Sequence, residues 1–276
     1  MNKHADGLVY QPIFTEREKV QLHAVTRAYS LHHLISHPRH FEDVAITYAY
    51  VASHLVGNAY TLMEAVGLIK WDTTANRKHI NDALRLRNLH QVFVTLCLGE
   101  INGEATLSRA TLCGLHDAVN DRLYTDAACC LSKGLVGGRR SGDFVEHDAS
   151  LDNECEAIFK AARDIDDPFE RAVFVHLSLA NLVYFSDGNL LTARLMEAGV
   201  LAQVGMVPVL LRVEDEADYL KCVRAYAETG DAKSYAGLFL KRYQWTIDRL
   251  LGRTVEQQEA QALAERAIWA KRGRGG

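Results

Sequence analysis

The chain has 276 residues, of which 48% are hydrophobic and 24% are charged. This length fits one large domain or two small ones, and the composition excludes a largely disordered chain. A net charge of -4, from 31 basic against 35 acidic residues, argues against a protein that coats nucleic acid. No apolar stretch reaches the roughly 18 residues that a membrane-spanning helix needs. The N-terminus also lacks the pattern of a signal peptide, so we expect a cytoplasmic protein.

The six cysteines do not form a metal-binding or redox pattern. None of them belongs to a C-x-x-C pair, and Cys129 and Cys130 are adjacent. Because zinc sites need regularly spaced ligands, we expect reduced and mostly buried thiols.

Helical periodicity dominates the first half of the chain, and the low count of four prolines agrees with it. Thr61 followed by Glu64 is a capping box that predicts the start of a short helix. Pro38 is expected to end the first helix. The predicted helices cover 15–36, 41–55, 62–69, 75–100 and 107–123.

The stretch 129–150 breaks this pattern. It contains four glycines with Arg139 and Arg140 between them, which predicts a loop or a short β-hairpin flap.

The second half returns to helices. Asp167 followed by Pro168 is a strong helix start, and the helix after it is apolar almost all round. A helix of that composition is expected at the centre of a domain. The predicted helices cover 168–185, 190–204, 214–228, 232–251 and 254–271. The fold class is therefore all-α with a short β-hairpin flap.

One turn, in VYFSDGNLLTARL at residues 183–195, combines features that suit an anion. The backbone N–H groups at the start of a helix attract anions, and Gly188 permits a positive φ angle and a close approach. Asp187 is a candidate Mg²⁺ ligand, and Arg194 is a candidate for contacting the same phosphate. The alternative is a helix–turn–helix corner capped by Asn189.

This segment resembles the signature of the Fic family, H-x-F-x-D-G-N-G-R-x-x-R. The sequence matches it at Phe185, Asp187, Gly188, Asn189 and Arg194. Further stretches resemble other parts of the family in the same order, namely 49–69, Leu115–His116, 137–145 and 218–240. The resemblance implies a helical Fic-like domain at 40–252, preceded by a helical segment at 1–39 and followed by a polar helix and basic tail at 253–276.

Fic proteins typically transfer AMP from ATP, with magnesium, to a hydroxyl group of a target protein. The motif histidine is the general base, and Val183 stands at its position here. Leu190 and Leu191 stand where the family has glycine and the first arginine of its phosphate site. The resemblance therefore implies that the base, the small residue and the phosphate arginine are absent together.

The upstream switch of the family also departs from its pattern. There, an inhibitory glutamate pairs with the second motif arginine, and the matching position here is Val56. Arg194 is left to bind an anion or to pair with another acid, such as Glu197 or Glu64. His176 is open to two interpretations, as a core histidine or as a substitute base.

The predicted flap is expected to dock a protein partner, by its resemblance to the family, through Gly138, Arg139, Arg140 and Phe144. Our first hypothesis is a degenerate Fic-fold pseudoenzyme without cofactor, which binds or regulates a protein target or a Fic homologue. The alternative is a transferase of AMP or another phosphate ligand that uses Mg-ATP and atypical catalytic residues. We expect no nucleic-acid or membrane partner, and we keep open a homodimer and delivery into another cell as a secreted effector.

Overall fold

A computed structural model describes residues 10–99, 107–123, 149–185 and 187–272, with side chains through residue 252. The regular structure in these ranges is helical, which confirms the all-α prediction for them. The predicted hairpin flap at 137–145 lies outside the described residues. The helices are α1 Glu16–Ala28, α2 Leu31–Ile35, α3 Pro38–His54, α4 Leu62–Trp71, α5 Ile80–Cys97, α6 Arg109–Val119, α7 Ala149–Arg163, α8 Pro168–Leu182, α9 Asn189–Gln203, α10 Glu216–Thr229 and α11 Lys233–Arg272, with a 3₁₀ turn at Val213–Asp215.

Helix α8 forms the centre of the fold, as its sequence predicts. The carboxylate of Asp167 accepts hydrogen bonds from the N–H groups of Phe169 and Glu170, and Pro168 occupies the first helical position. Every residue from 172 to 180 is buried, so neighbours surround the helix on all sides. It packs most extensively on α9 and also contacts α7 and α10. The α8–α9 pair therefore holds the predicted motif at the heart of the molecule.

The first predicted helix is wrong in one respect, because the run 15–36 is two helices. Helix α1 ends at Ala28, and Tyr29 takes an extended conformation with φ -154°. The hydroxyl of Ser30 then accepts a hydrogen bond from the N–H of His33 and so caps α2. Burial of Tyr29 in the core accompanies this break. Apolar periodicity continues across the break because both helices face the same core.

Proline does not end a helix in this region, contrary to the prediction for Pro38. It occupies the first turn of α3 and begins that helix. Its fixed φ suits the first turn, and the N–H that proline lacks would have no partner there. The capping box at Thr61 and Glu64 is confirmed, since each side chain bonds to the other residue's N–H.

The last two predicted helices are one continuous helix, α11, over Lys233–Arg272. A break was predicted near Gly252, but a lone glycine costs a helix only about 1 kcal/mol. No proline follows to stop it.

The N-terminal segment is tied to the central helix. The N–H of Phe14 donates to the carboxylate of Glu170 at 3.2 Å, and the ammonium of Lys19 lies 3.4 Å from the same group. His23 contacts the carboxylate of Asp167 at 2.7 Å.

Among the described helices, none combines the length and the apolar character needed to cross a bilayer. Four of the six cysteines, Cys97, Cys113, Cys155 and Cys222, lie in the described ranges as free thiols, as predicted.

Candidate functional site

The turn between α8 and α9 is held by the side chain of Asn189. Its amide oxygen accepts from the N–H of Phe185 at 2.8 Å, and its amide nitrogen donates to the carbonyl of Phe185 at 2.6 Å. Both ends of the side-chain amide are thus used within the turn. Asn189 is the first residue of α9, so it closes the corner between the two helices.

Gly188 occupies a position that a side chain would not suit. Its φ is +75°, and a Cβ atom there would lie 3.4 Å from the side chains of His116 and Asn120. The predicted positive φ at Gly188 is therefore confirmed. The groups that approach Gly188 closely are His116, on α6, and Asn120, directly after it.

His116, on α6, contacts the turn through a hydrogen bond and a ring stack. With Nε2 as the donor nitrogen, its ring donates to the carbonyl of Asp187 at 3.0 Å, and it stacks on Phe185 with ring centres 3.9 Å apart. Burial lowers its pKa, although the Asp187 carbonyl and Asp117 favour the charged form. The Leu115–His116 pair resembles a feature of the family, but no local pattern in the sequence predicts this contact with the turn.

Asp187, the candidate Mg²⁺ ligand, is the most exposed part of the site. Its side chain is 60% exposed, one carboxylate oxygen lies 3.3 Å from the guanidinium of Arg85, and the other accepts from the N–H of Gly188. Arg85, on α5, was not identified from the sequence. Nothing in the described ranges groups three or more His, Cys, Asp or Glu side chains in a way that suits a metal ion.

Val183, at the position of the family's histidine, ends α8 in the left-handed conformation with φ 51° and ψ 52°. This corrects the predicted end of α8 at about Phe185. A β-branched residue is a rare occupant of this region, because its Cβ substituents crowd the backbone. The helix therefore stops three residues earlier than its apolar pattern suggests.

We expect Val183→Gly to stabilise the protein by about 1 kcal/mol, because glycine adopts this conformation without strain. The matched control is Val204→Gly at the end of α9, where φ is -100° and a valine is unstrained. Urea unfolding of both variants tests this. A loss of stability in Val183→Gly equal to that in Val204→Gly would contradict the strain.

Tyr184 anchors the turn to α6 and α7. Its hydroxyl donates to the carboxylate of Asp152 at 2.5 Å, and Arg109 pairs with the same carboxylate. Burial, together with the hydrogen bond to Asp152, raises the pKa of Tyr184 above its usual value near 10. Tyr184 therefore holds its proton and is unsuited to act as a base.

Arg194 does not face the surface of the turn. Its residue is 4% exposed, and its guanidinium lies 5.4 Å from the ring centre of Tyr48 and 5.6 Å from that of Tyr219. Its Nη1 atom has no hydrogen-bond acceptor among the described residues. Burial of this kind separates the arginine from any anion that approaches from solvent.

Glu197, one helical turn from Arg194, is the buried acid beside it. Its carboxylate accepts from the hydroxyl of Tyr235 at 2.7 Å and lies 3.1 Å from Nδ1 of His176. Burial raises the pKa of Glu197 to about 7, although Arg194 and the Tyr235 hydroxyl favour its charged form. Of the two acids considered from the sequence, Glu64 belongs instead to the cap of α4.

His176 lies in the core, which agrees with its interpretation as a core histidine. It is fully buried and stacks on Tyr235, and its Nε2 lies 3.3 Å from the hydroxyl of Tyr219. Burial, helped by the charge of Arg194, lowers its pKa to about 3. Such a weak base without solvent access does not suit proton transfer at the turn.

The remaining sequence candidates are apolar or lie outside the described residues. Leu191 is 2% exposed, and Leu190 packs against the core. Val56 follows the end of α3 as a partly buried side chain packed on the core. Those outside the described residues are the four flap residues Gly138, Arg139, Arg140 and Phe144.

Curated relatives match part of the chain. The protein adenylyltransferase fic-1 of Caenorhabditis elegans is 35% identical over 86 residues, which are 31% of this chain and 17% of that protein. The protein adenylyltransferase Fic of Nematostella vectensis is 33% identical over 87 residues, which are 32% of this chain and 20% of that protein. The chain therefore matches about a fifth or less of the length of each relative. No family model matches.

Solved structures match nearly the whole fold. Fic-1 from C. elegans superposes with a TM-score of 0.71 and 21% identity, over 86% of this chain and 71% of that one. A Fic family protein from Desulfovibrio desulfuricans G20 superposes with a TM-score of 0.69 and 16% identity, over 89% and 78% of the two chains. The chain therefore has the Fic fold, and over about a third of its length it is similar in sequence to Fic adenylyltransferases.

Proposed function

We propose that the chain is a Fic-fold pseudoenzyme that does not transfer AMP and acts by binding a protein, either a target or a Fic homologue. The observation that carries this proposal is the enclosure of Arg194. The arginine at the position of the family's second motif arginine lies among Tyr48, Tyr219 and Glu197, where a nucleotide phosphate has no access.

The residues around the turn do not fit Mg-ATP. The side-chain amide of Asn189 forms hydrogen bonds to Phe185 through both its oxygen and its nitrogen. Leu191 places a buried apolar side chain where a phosphate would need hydrogen-bond donors. Phosphate oxygens that lose water without gaining donors pay a large desolvation cost. Asp187 and Arg85 together offer one carboxylate and one cation. No chemical step through a nucleotide follows from these two groups.

A general base is also missing from the described part of the turn. Val183 cannot accept a proton, Tyr184 keeps its own, and His176 is enclosed in the core. A positioned general base contributes roughly 10²–10⁴-fold to rate. Loss of the base and of the phosphate site together supports a binding role.

The alternative is a transferase of AMP or another phosphate ligand to protein hydroxyls. One observation favours it. Asp187, just before the N-cap of α9, pairs with Arg85 of α5 and is 60% exposed, and a helix N-terminus attracts anions. Because of this pair, we keep the transferase as a second candidate function.

The test is Mg-ATP binding by calorimetry together with AMP transfer to protein, for the native chain and Val183→His. Histidine tolerates the left-handed conformation better than valine, so the variant is expected to fold. We expect neither protein to bind or transfer. The matched control is Val204→His, which adds the same imidazole at the end of α9. The native Val204 is 45% exposed, so this position has room for the larger side chain.

Two results would overturn the proposal. Magnesium-dependent ATP binding by the native chain would show that the phosphate site survives. A gain of AMP transfer in Val183→His, absent from Val204→His, would show that only the base is missing. The structure disfavours the simpler rescue Leu191→Arg, because a charge at this buried position would destabilise the fold.

A further inference from the structure

A cavity of about 450 Å³ lies between the N-terminal segment, helix α8 and the corner that joins α10 to α11. Its lining comes from the extended segment 10–13, from the aromatic side chains of Phe174 and Tyr226, and from residues 229–233 at the corner. Small organic ligands occupy cavities of this volume in other proteins. We call it the α10–α11 cavity.

The α10–α11 cavity is separate from the turn that carries the family motif. Phe174 precedes Val183 by nine residues on α8, which is about 13 Å at the usual rise of ~1.5 Å per residue. Among the residues that the structure describes, those that line the cavity include none that forms the turn. A ligand in the cavity would therefore bind independently of a nucleotide at the turn.

The N-terminal side of the cavity is held in place by the central helix. The N–H of Phe14 donates to the carboxylate of Glu170 at 3.2 Å, and the N–H of Ile13 faces the same carboxylate. The side chains of Ile13 and Phe14 are both buried in the core. Because this part of the lining is already ordered, a ligand does not have to order it on binding.

Three aromatic rings give the cavity an apolar part. Tyr10 meets Phe174 edge to face, with ring centres 6.0 Å apart. The hydroxyl of Tyr226 lies 3.2 Å from that of Ser178 on α8, which fixes the position of its ring. Aromatic rings prefer edge-to-face or offset contacts with one another. This part of the lining therefore suits an aromatic group of a ligand.

The corner supplies two charged groups that the described fold does not pair. Oδ1 of Asp231 accepts from the N–H of Lys233 at 2.9 Å, and its Oδ2 accepts no hydrogen bond from the described residues. The ammonium of Lys233 forms no ion pair within the described ranges. Its charge reaches Glu18 on α1, but that carboxylate is bonded to Thr15. A carboxylate and an ammonium are therefore both available to a ligand.

A ligand that carries both charges satisfies the corner best. The ammonium of a zwitterion can pair with Asp231 while its carboxylate pairs with Lys233, whereas a simple cation or anion satisfies only one of them. The aromatic rings then accommodate its side chain. We propose that the α10–α11 cavity binds a zwitterion with an aromatic side chain, either a free aromatic amino acid or a dipeptide that contains one.

The test is calorimetric titration of the native chain with L-phenylalanine and with L-alanyl-L-phenylalanine. We expect at least one of them to bind with a dissociation constant below about 1 mM, and the tighter of the two distinguishes a free amino acid from a dipeptide. N-acetyl-L-phenylalanine lacks the ammonium and phenethylamine lacks the carboxylate. Each is expected to bind at least about 10-fold more weakly, since it loses one charge-assisted hydrogen bond.

Variants of the corner locate the bound zwitterion. Asp231→Asn removes the charge but keeps an oxygen that can accept from the N–H of Lys233, so the start of α11 is preserved. Asp231→Asn and Lys233→Met are each expected to weaken binding at least about 10-fold. Ala232→Leu places a larger side chain in the lining and is expected to abolish binding. The matched control is Lys221→Met, which removes an exposed ammonium of α10 outside the cavity and leaves the affinity unchanged.

Three results would overturn the proposal. The first is that neither zwitterion binds at about 5 mM. The second is that N-acetyl-L-phenylalanine and phenethylamine bind as tightly as the zwitterions. The third is that Asp231→Asn and Ala232→Leu change the affinity no more than Lys221→Met does, because the ligand would then bind elsewhere. None of these results depends on Mg-ATP binding or AMP transfer, so this proposal and the proposed function can fail separately.

Discussion

Replacing Glu197 by glutamine is expected to cost more stability than replacing Arg194 by methionine. The two side chains lie one turn apart on α9 and are both buried. Glutamine leaves the guanidinium without a counter-charge, and arginine cannot shed its proton. The two groups form no direct salt bridge, but their charges interact, and leaving a buried charge uncompensated costs about 3–5 kcal/mol.

Methionine at position 194 leaves a group that can adapt. The pKa of Glu197 is already raised to about 7 by burial, so the carboxyl can take up a proton and become neutral. Its hydrogen bond from Tyr235 survives in that state. We therefore expect Arg194→Met to cost less than Glu197→Gln, and the double variant to cost no more than Glu197→Gln alone.

Urea unfolding of the three variants measures this difference. Tyr235→Phe is the control, because it removes only one hydrogen bond and is expected to cost about 1 kcal/mol. Equal costs for the two single variants, or a larger cost for Arg194→Met, would show that the charges are not coupled as described.

The second large effect is expected at Phe185. This side chain is 1% exposed and stacks on His116, while Asn189 holds both of its main-chain groups. Truncation of a buried phenylalanine to alanine costs about 3–5 kcal/mol, from lost burial and the cavity that remains. We expect Phe185→Ala to show that loss and to speed amide exchange at Gly188.

Phe185→Leu is the matched variant, since it keeps an apolar side chain and leaves a smaller cavity. Its cost is expected to be less than half that of Phe185→Ala. Unfolding in urea and hydrogen exchange at pH 7 measure both effects. If Phe185→Ala lost less than about 1 kcal/mol, the stacked pair would not be the anchor of the turn.

Local patterns in the sequence were enough to predict most helices and their starts. The caps at Thr61 and Asp167 depend on neighbouring residues, so they can be seen in the sequence. The split between α1 and α2 could not be predicted in this way. Both helices pack on the same core, so the apolar pattern continues without interruption across their break. The continuity of α11 past Gly252 is another case in which a weak helix breaker misled the prediction.

For the site, the sequence determined which side chains are present and the tertiary structure decided which are accessible. The absence of a histidine at Val183 and of charge at Leu190 and Leu191 is a property of the sequence alone. The enclosure of Arg194 depends on tyrosines from α3, α10 and α11, which are distant in sequence and meet only when the helices pack. Burial is set by such long-range packing, so no local pattern around Arg194 reveals it.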